Sequence, residues 1–301
     1  MTLTNWGLLL LTATAFAISL PFNNVLVATI PPMLLALLRA SIAFPVVWIL
    51  ARFCGQGLPA NEAEWRTAAI GGLLIIAIPF SAIALGQRHI ASGLAGVLYS
   101  FMPVMTAAFA HFLIPEERLS ARKLLGLGAA LCGLVAVLGP STALGLAPAP
   151  VGEAITLMAP LSYALGTVLL KRREAINPLR LTTGMLLVGQ VMMLPLVLLT
   201  GTTWYDLAPI GDARTGALLI GLAVLGTAAP AILNYVLILR SGATNASLVM
   251  FYMPIVALLL GSGLLAERVH PGMIVGLAFV LFGSLAVTRS TPSQDVESAR
   301  P

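Results

Sequence analysis

Two stretches of the chain, residues 103–133 (PVMTAAFAHFLIPEERLSARKLLGLGAALCG) and residues 254–283 (PIVALLLGSGLLAERVHPGMIVGLAFVLFG), share a pattern that decides the fold. Each stretch begins with a proline that lies 24 residues after an earlier proline. An apolar run and a Glu-Arg pair follow, and glycines stand 9 and 16 residues after the glutamate. The matched positions are Pro79 and Pro230, Pro103 and Pro254, Glu117 and Glu267, Gly126 and Gly276, and Gly133 and Gly283.

The matched spacing indicates an internal repeat, and each copy has room for five helical spans. An odd number of spans brings the second copy into the membrane from the opposite side. We therefore predict two inverted five-helix repeats, residues 1–145 and 146–289, followed by a disordered cytoplasmic tail at 290–301. Inverted repeats recur in secondary transporters, whose substrate sites lie near the bilayer midplane between the repeats.

The composition places those spans in a lipid bilayer. Hydrophobic residues make up 59% of the 301 positions, charged residues only 9%, and the mean hydropathy is +0.99. A soluble domain carries about 25% charged residues, so we predict an all-α polytopic membrane protein. The net charge of +5 does not indicate nucleic-acid binding, because the Lys and Arg residues are scattered at span ends rather than clustered in a groove.

The apolar runs predict ten transmembrane helices. They lie near 4–21, 31–52, 67–86, 92–113, 122–139, 152–170, 180–200, 214–238, 243–265 and 271–288. With a cytoplasmic N-terminus, twelve Lys and Arg residues fall in inside segments and three in outside segments. Cytoplasmic loops carry the excess of positive residues, so we predict an inner (plasma) membrane protein with both termini cytoplasmic.

The repeat resembles a known family. The 5+5 inverted arrangement, the two Glu-Arg pairs with their glycines, Arg39 in span 2 and Tyr163 early in span 6 are similar to the EamA type of the drug/metabolite transporter superfamily. Among its members, the chain resembles bacterial exporters of aromatic amino acids and related metabolites. The resemblance covers residues 5–288 and implies a transporter, not an enzyme.

The positions of the charged residues limit the mechanism. All 11 acidic residues fall at span ends, in connections or in the tail. A proton-coupled carrier usually has an ionisable residue at membrane depth, so the sequence favours facilitative export, with His89, His111 and His270 left as alternative couplers. Arg39 lies well inside span 2, where it either binds a substrate carboxylate or has a structural role, capping backbone carbonyls or snorkelling outward. We expect no cofactor and no metal.

Aromatic and small polar side chains within the spans are the candidate substrate-binding residues, together with Arg39. Polar side chains at mid-span need a protein or water partner, and a cavity that they line would hold a flat amphipathic solute. Ordinary helix packing is the alternative for each of them. The candidates are Phe16, Ser19, Arg39, Tyr99, Tyr163, Asn234, Tyr235, Asn245, Ser247 and Tyr252. The prolines Pro79, Pro103, Pro230 and Pro254 are candidate hinges, because proline frees a backbone carbonyl and bends a helix.

Together these patterns predict an alternating-access exporter of amino acids, aromatic or hydrophobic ones above all, and of related small metabolites. An exporter of drugs or quaternary cations is an alternative, although the absence of a membrane carboxylate disfavours it. A lipid scramblase or a membrane scaffold is an alternative from a different class. The expected partners are a small-molecule substrate and the lipid bilayer, with no nucleic acid; the sequence leaves the oligomeric state open, and a monomer is one option.

Overall fold

The computed structural model describes residues 2–114, 121–138, 151–173, 176–246 and 249–288, which form helices and no strand. The described part of the chain therefore confirms the all-α prediction. The helices are α1 (Leu3–Leu26), α2 (Pro32–Phe53), α3 (Glu62–Gly86), α4 (Ser92–Leu113), α5 (Ala121–Leu138), α6 (Val151–Lys171), α7 (Pro178–Leu199), α8 (Ala213–Ala223, continued by Val224–Ala228 and Ala229–Ala246), α9 (Val249–Leu264) and α10 (Pro271–Thr288). The predicted boundary at 145 and the predicted tail at 290–301 lie outside the described residues.

Seven of these helices, α1 to α4 and α6 to α8, are long and apolar enough to cross a membrane. Shorter apolar segments lie within the other three, at Leu124–Val137 in α5, Tyr252–Leu264 in α9 and Pro271–Gly283 in α10. The structure is thus that of a multi-pass membrane protein.

The helix contacts follow a pattern that relates the first five helices to the last five. Helix α1 packs against α8 and α9, and α6 packs against α3 and α4. If α1 to α5 are matched in order with α6 to α10, the two contacts of α1 correspond to the two contacts of α6. Helix α2 packs against α7, and α5 packs against α10, so each of these pairs maps onto itself.

Helices α5 and α10 run in opposite directions where they pack together. A Cβ atom added to Gly133 would lie 2.9 Å from the Gly276 carbonyl oxygen, and one added to Gly272 would lie 2.5 Å from the Ala136 carbonyl oxygen. Later positions on α5 thus face earlier positions on α10. Small residues permit this close antiparallel approach, and it occurs within one chain.

Helix α1 is longer than the sequence indicated. Span 1 was predicted to end at Pro21, but α1 continues five residues further. The reason lies in two asparagines: Asn23 Nδ2 donates to Gln87 Oε1 at 2.7 Å, and Asn24 Nδ2 donates to the Gln87 carbonyl oxygen at 3.2 Å. Because the α3–α4 connection provides these acceptors, the polar residues can remain in the helix.

The boundary between α8 and α9 also corrects the sequence analysis. Span 9 was predicted to begin at 243, whereas α8 continues to Ala246 and α9 begins at Val249. The charged and glycine-containing stretch at 240–242 suggested a break between spans. A glycine costs a helix only about 1 kcal/mol relative to alanine, so it does not end one by itself.

Side-chain caps set the beginnings of α3 and α8. Asn61 Oδ1 accepts a hydrogen bond from the Glu64 amide at 2.9 Å, and α3 consequently begins five residues before the predicted start at 67. The Asp212 carboxylate accepts from the Thr215 amide at 3.0 Å and from its hydroxyl at 3.0 Å. These two hydrogen bonds stabilise the carboxylate and hold the pKa of Asp212 below its usual range.

The connections meet at two opposite ends of the bundle. The first, which we call the α1–α2 end, also contains the α3–α4 and α9–α10 connections. The second, the α2–α3 end, contains the α6–α7 connection, where Arg180 Nη1 lies 3.4 Å from Glu64 Oε1. Both ends therefore carry contacts between the two halves.

Glu267 joins the halves at the α1–α2 end. Its Oε1 accepts a hydrogen bond from the Ser92 amide at 2.7 Å, and its Oε2 accepts one from the Gly93 amide at 2.8 Å. The glutamate thus caps the start of α4 rather than that of α10, which it precedes in sequence. Acidic groups stabilise a helix N-terminus through its free amides and dipole. The matching Glu117 lies outside the described residues.

We predict that Glu267→Ala lowers the free energy of unfolding by about 1–2 kcal/mol, because two amides of α4 lose a charged acceptor. The melting temperature of the detergent-solubilised protein measures the effect. Glu62→Ala is the matched control, since Glu62 forms a surface ion pair with Arg66 (2.6 Å), and such pairs contribute little. An equal loss of stability in both variants would contradict the assigned role of Glu267.

Candidate functional site

Two neighbouring cavities lie inside the bundle and share a wall formed by Phe16, Arg39, Phe80 and Tyr163. The larger cavity, of about 130 Å³, extends among α3, α7 and α8 toward Pro178 near the α2–α3 end. The smaller cavity, of about 50 Å³, lies among α1, α3, α4 and α9. The shared wall therefore separates a cavity lined mainly by α3, α7 and α8 from one lined mainly by α1, α3, α4 and α9.

Arg39 is the central side chain of this wall, and only 6% of its surface is exposed. Its Nε donates a hydrogen bond to Thr227 Oγ1 at 2.7 Å, and its Nη2 donates one to the Gly226 carbonyl oxygen at 3.1 Å. The Phe80 ring faces the guanidinium, with 4.0 Å between Cζ and the ring centroid. Hydrogen bonds and a cation–π contact of this kind compensate a buried charge.

The Gly226 carbonyl is available because of the local structure of α8. In an α-helix this oxygen would accept from the amide of residue 230, but Pro230 has no amide hydrogen. A π-helical turn, Val224–Ala228, precedes the proline, and the Thr227 hydroxyl donates to the Leu222 carbonyl at 3.1 Å. Arg39 thus supplies a donor that the bent helix lacks, as the capping interpretation of the sequence expected.

Helix α3 repeats this arrangement with a different donor. A π-helical turn, Gly72–Ala77, precedes Pro79, and in it the Ile78 amide donates to the Leu73 carbonyl, five residues earlier. Pro79 has no amide hydrogen to continue this pattern, and Ser162 Oγ of α6 donates to the Leu74 carbonyl oxygen instead, at 2.8 Å. Each half therefore contains a proline bend whose freed carbonyl is bound by a side chain from another helix.

Tyr99 and Tyr163 contribute polar groups to the cavities. Their rings make an edge-to-face contact with centroids 6.5 Å apart. Tyr163 lines both cavities, and Tyr99 lines the smaller one. Neither hydroxyl makes a hydrogen bond to any residue within the described ranges. A buried tyrosine hydroxyl usually has a partner, so these two are available to water or a solute.

Most of the predicted substrate-binding residues come together at these cavities. Phe16, Arg39 and Tyr163 line both; Ser19 and Tyr99 line the smaller one; Asn234 and Tyr235 line the larger one. The Tyr235 hydroxyl also accepts a hydrogen bond from Asn177 Nδ2 at 3.3 Å.

Three predicted residues are not part of this group. Tyr252 packs edge-to-face against Trp6, with centroids 6.2 Å apart, and lines neither cavity. The Asn245 side chain and Ser247 lie outside the described residues. Tyr252 therefore packs between α9 and α1, and the structure gives it no contact with the enclosed space.

The candidate hinge prolines have different settings. Pro79 and Pro230 follow the π-helical turns, and Pro79 also lines the smaller cavity. Pro103 lies in the first turn of the second part of α4, just after the interruption at 100–101. Pro254 is buried within α9. Three of the four prolines thus lie beside an irregular helical segment.

Sequence analysis missed several lining residues, among them Phe80, Thr227 and Met250. The repeat could have indicated Met250, which lies 151 residues after Tyr99, as Pro230 lies after Pro79. Phe80 follows Pro79 directly, so its place at the bend was visible in the sequence. Thr227 had no comparable signal, because its role depends on a guanidinium from another helix.

The cavities carry one formal charge. Among the described residues that line them, Arg39 is the one charged side chain, and none is an Asp or Glu. The searched residues also contain no group of three or more His, Cys, Asp or Glu side chains that could hold a metal ion. The chemistry available is that of aromatic rings, hydroxyls, an amide and one guanidinium.

Membrane transporters commonly enclose cavities within a multi-pass helical bundle, as this structure does. The chain belongs to the EamA-like transporter family, which matches residues 5–139 and 150–289. These two matches cover α1 to α5 and α6 to α10, and they confirm the resemblance to this part of the drug/metabolite transporter superfamily.

Several relatives are similar along most of the chain. An "Uncharacterized transporter" of Archaeoglobus fulgidus is 27% identical over 290 residues, covering 94% of this chain and 98% of that protein. The "Uncharacterized inner membrane transporter YedA" of Escherichia coli K12 is 26% identical, covering 86% and 82%. "Protein PecM" of Dickeya dadantii is 26% identical, covering 86% and 83%. A solved crystal structure shares the fold at a TM-score of 0.62 and 19% identity, covering 92% of this chain and 98% of that one.

Proposed function

We propose that this transporter exports amino acids, aromatic or hydrophobic ones above all, and related small metabolites. The observation that carries the proposal is the shared wall of three aromatic rings and one guanidinium between the two cavities. Rings give apolar contact area, and a few polar groups fix the orientation of a bound solute. The name of the E. coli relative supports an inner membrane location.

The proposed mechanism is alternating access across ten membrane spans, with both termini in the cytoplasm. The excess of Lys and Arg in the inside segments supports this orientation. It makes the α2–α3 end cytoplasmic, so the larger cavity extends toward the cytoplasm. The prolines Pro79, Pro103, Pro230 and Pro254 are proposed to act as hinges, because backbone groups freed by proline can exchange partners at a low cost.

The transport is proposed to be facilitative. No carboxylate from the described residues lines either cavity, and proton relays in transporters usually need such a group at membrane depth. The same observation disfavours quaternary cations as substrates, because nothing among the lining side chains offers them a negative charge.

A flux screen with the purified protein in liposomes tests the proposal. We expect saturable uptake of labelled phenylalanine or leucine, with a rate that an imposed pH gradient changes by less than about twofold. Strong dependence on the gradient would refute facilitation. Flux of a quaternary cation alone would support the drug-exporter alternative, and redistribution of fluorescent lipid without solute flux would indicate a scramblase.

A further inference from the structure

The guanidinium of Arg39 has protein contacts on one edge and one face, whereas its outer end, at Nη1, has no hydrogen-bond acceptor among the described residues. A guanidinium has five N–H donors in a rigid planar fork. The edge formed by Nε and Nη2 binds Thr227 and Gly226, and Phe80 covers one face. Nη1 donates no hydrogen bond to any residue that the structure describes, although the side chain lines both cavities.

The free end has the geometry of a carboxylate receptor. Two parallel N–H groups, one each on Nη1 and Nη2, match the two oxygens of a carboxylate. Holding the guanidinium in place beforehand reduces the ordering cost of binding. The environment is also apolar and buried, so an ion pair formed there is strong and an unpaired charge is costly.

Among the described residues, the cavities contain no comparable binding group for an ammonium ion. The side chains that line the cavities within the described ranges include no carboxylate, and the available acceptors are neutral hydroxyls, an amide oxygen and backbone carbonyls. Among these, the Gly226 carbonyl and the Thr227 hydroxyl are already bound to Arg39. The positive end of an amino acid would therefore gain little that water does not provide.

We infer that Arg39 binds the carboxylate of the substrate, and that the site recognises this group rather than the amine. The inference rests on the proposed function and deepens it: apolar monocarboxylates that lack an amino group are bound and transported as well. A single positive charge pairs with one carboxylate. Amines without a carboxylate are excluded, because a cation would face the guanidinium.

A panel of related compounds tests this selectivity. Labelled phenylalanine flux is measured in liposomes while 3-phenylpropionate, phenethylamine or phenylalanine amide competes. We expect 3-phenylpropionate to inhibit about as well as unlabelled phenylalanine, and the two compounds without a carboxylate to be at least about tenfold weaker. Inhibition by phenethylamine but not by 3-phenylpropionate would overturn the inference.

A second experiment separates binding by Arg39 from its structural role in α8. Pro230→Ala restores a backbone donor at the bend of α8, so the bend depends less on the hydrogen bond from Arg39 to the Gly226 carbonyl. Ligand-induced thermal stabilisation is compared in Pro230→Ala and in Arg39→Gln with Pro230→Ala. We expect 3-phenylpropionate to bind at least about tenfold more weakly to the double variant. Equal binding would show that Arg39 only caps the bend, and would overturn the inference.

The readouts also distinguish failure of the inference from failure of the proposed function. Thermal stabilisation measures binding and does not depend on flux. Stabilisation by carboxylates without any flux would refute the transport of this solute class but keep Arg39 as the receptor. Should the double variant fail to fold, Arg39→Lys replaces it: the charge remains while the fork is lost. We then expect weaker binding of 3-phenylpropionate with phenethylamine still excluded, and unchanged binding would overturn the inference.

Discussion

Replacement of Tyr163 by alanine is expected to reduce the flux of phenylalanine by at least about tenfold, because a ring contact and a polar group are lost together. Tyr163 lines both cavities and contacts Tyr99 edge-to-face. An aromatic pair of this kind fixes the position of both rings. Loss of the Tyr163 ring enlarges the space beside Arg39 and removes one of the aromatic surfaces that a bound solute would contact. Counterflow of labelled phenylalanine in liposomes measures the change.

Two control variants make the result specific to the cavity. Tyr163→Phe keeps the ring and removes only the hydroxyl, so we expect it to retain most of the flux. Tyr205→Ala removes a tyrosine that is 88% exposed outside the cavities, and it should transport as the unmodified protein does. If Tyr163→Ala reaches the membrane, remains folded and transports normally, Tyr163 is not part of the site.

The repeat explains why much of the site could be predicted from the sequence. Pro79 and Pro230 marked equivalent bends, and both lie directly after a π-helical turn. Phe16 lies within α1 and Tyr163 within α6, the first helix of each half, and both reach the shared wall. Such residues stand out because the surrounding sequence is almost entirely aliphatic.

The placement of Tyr252 away from the cavities could not be predicted for a geometric reason: the sequence does not show which side of α9 faces them. Tyr252 lies on α9 between Met250 and Met253, and these two methionines line the smaller cavity while the tyrosine faces Trp6. Successive residues on a helix point in directions about 100° apart. A helix that is apolar all round gives no polar face from which to read that phase, so residue type alone favoured the tyrosine.

Hydrogen bonds between residues far apart in the chain could not be predicted from the sequence either. The donor to the Gly226 carbonyl comes from Arg39, 187 positions earlier, and the acceptor for the Ser92 amide comes from Glu267, 175 positions later. Sequence patterns report local spacing. These contacts depend on how the two halves pack, and that packing places α8 beside α2 and the α9–α10 connection beside α4.

The contact between α5 and α10 leads to the second prediction. Gly133→Val is expected to lower the free energy of unfolding by about 1–3 kcal/mol, as overpacking of a tight interface does. A Cβ at this position would lie 2.9 Å from the Gly276 carbonyl oxygen, 3.0 Å from Val280 Cγ2 and 3.1 Å from Phe279 Cβ. A backbone oxygen cannot rotate away as a side chain can, so the helices themselves must separate.

Helix α5 also provides the control for this variant. A Cβ at Gly128 would meet nothing within 4 Å, so Gly128→Val makes the same chemical change on the same helix without a clash. We expect its melting temperature in detergent to stay close to that of the unmodified protein, while Gly133→Val melts earlier. A clash-driven effect should also be smaller in Gly133→Ala, which adds the Cβ alone. Equal destabilisation at 128 and 133 would show that the loss does not come from the clash with α10, and the close antiparallel packing would then not be what stabilises this pair.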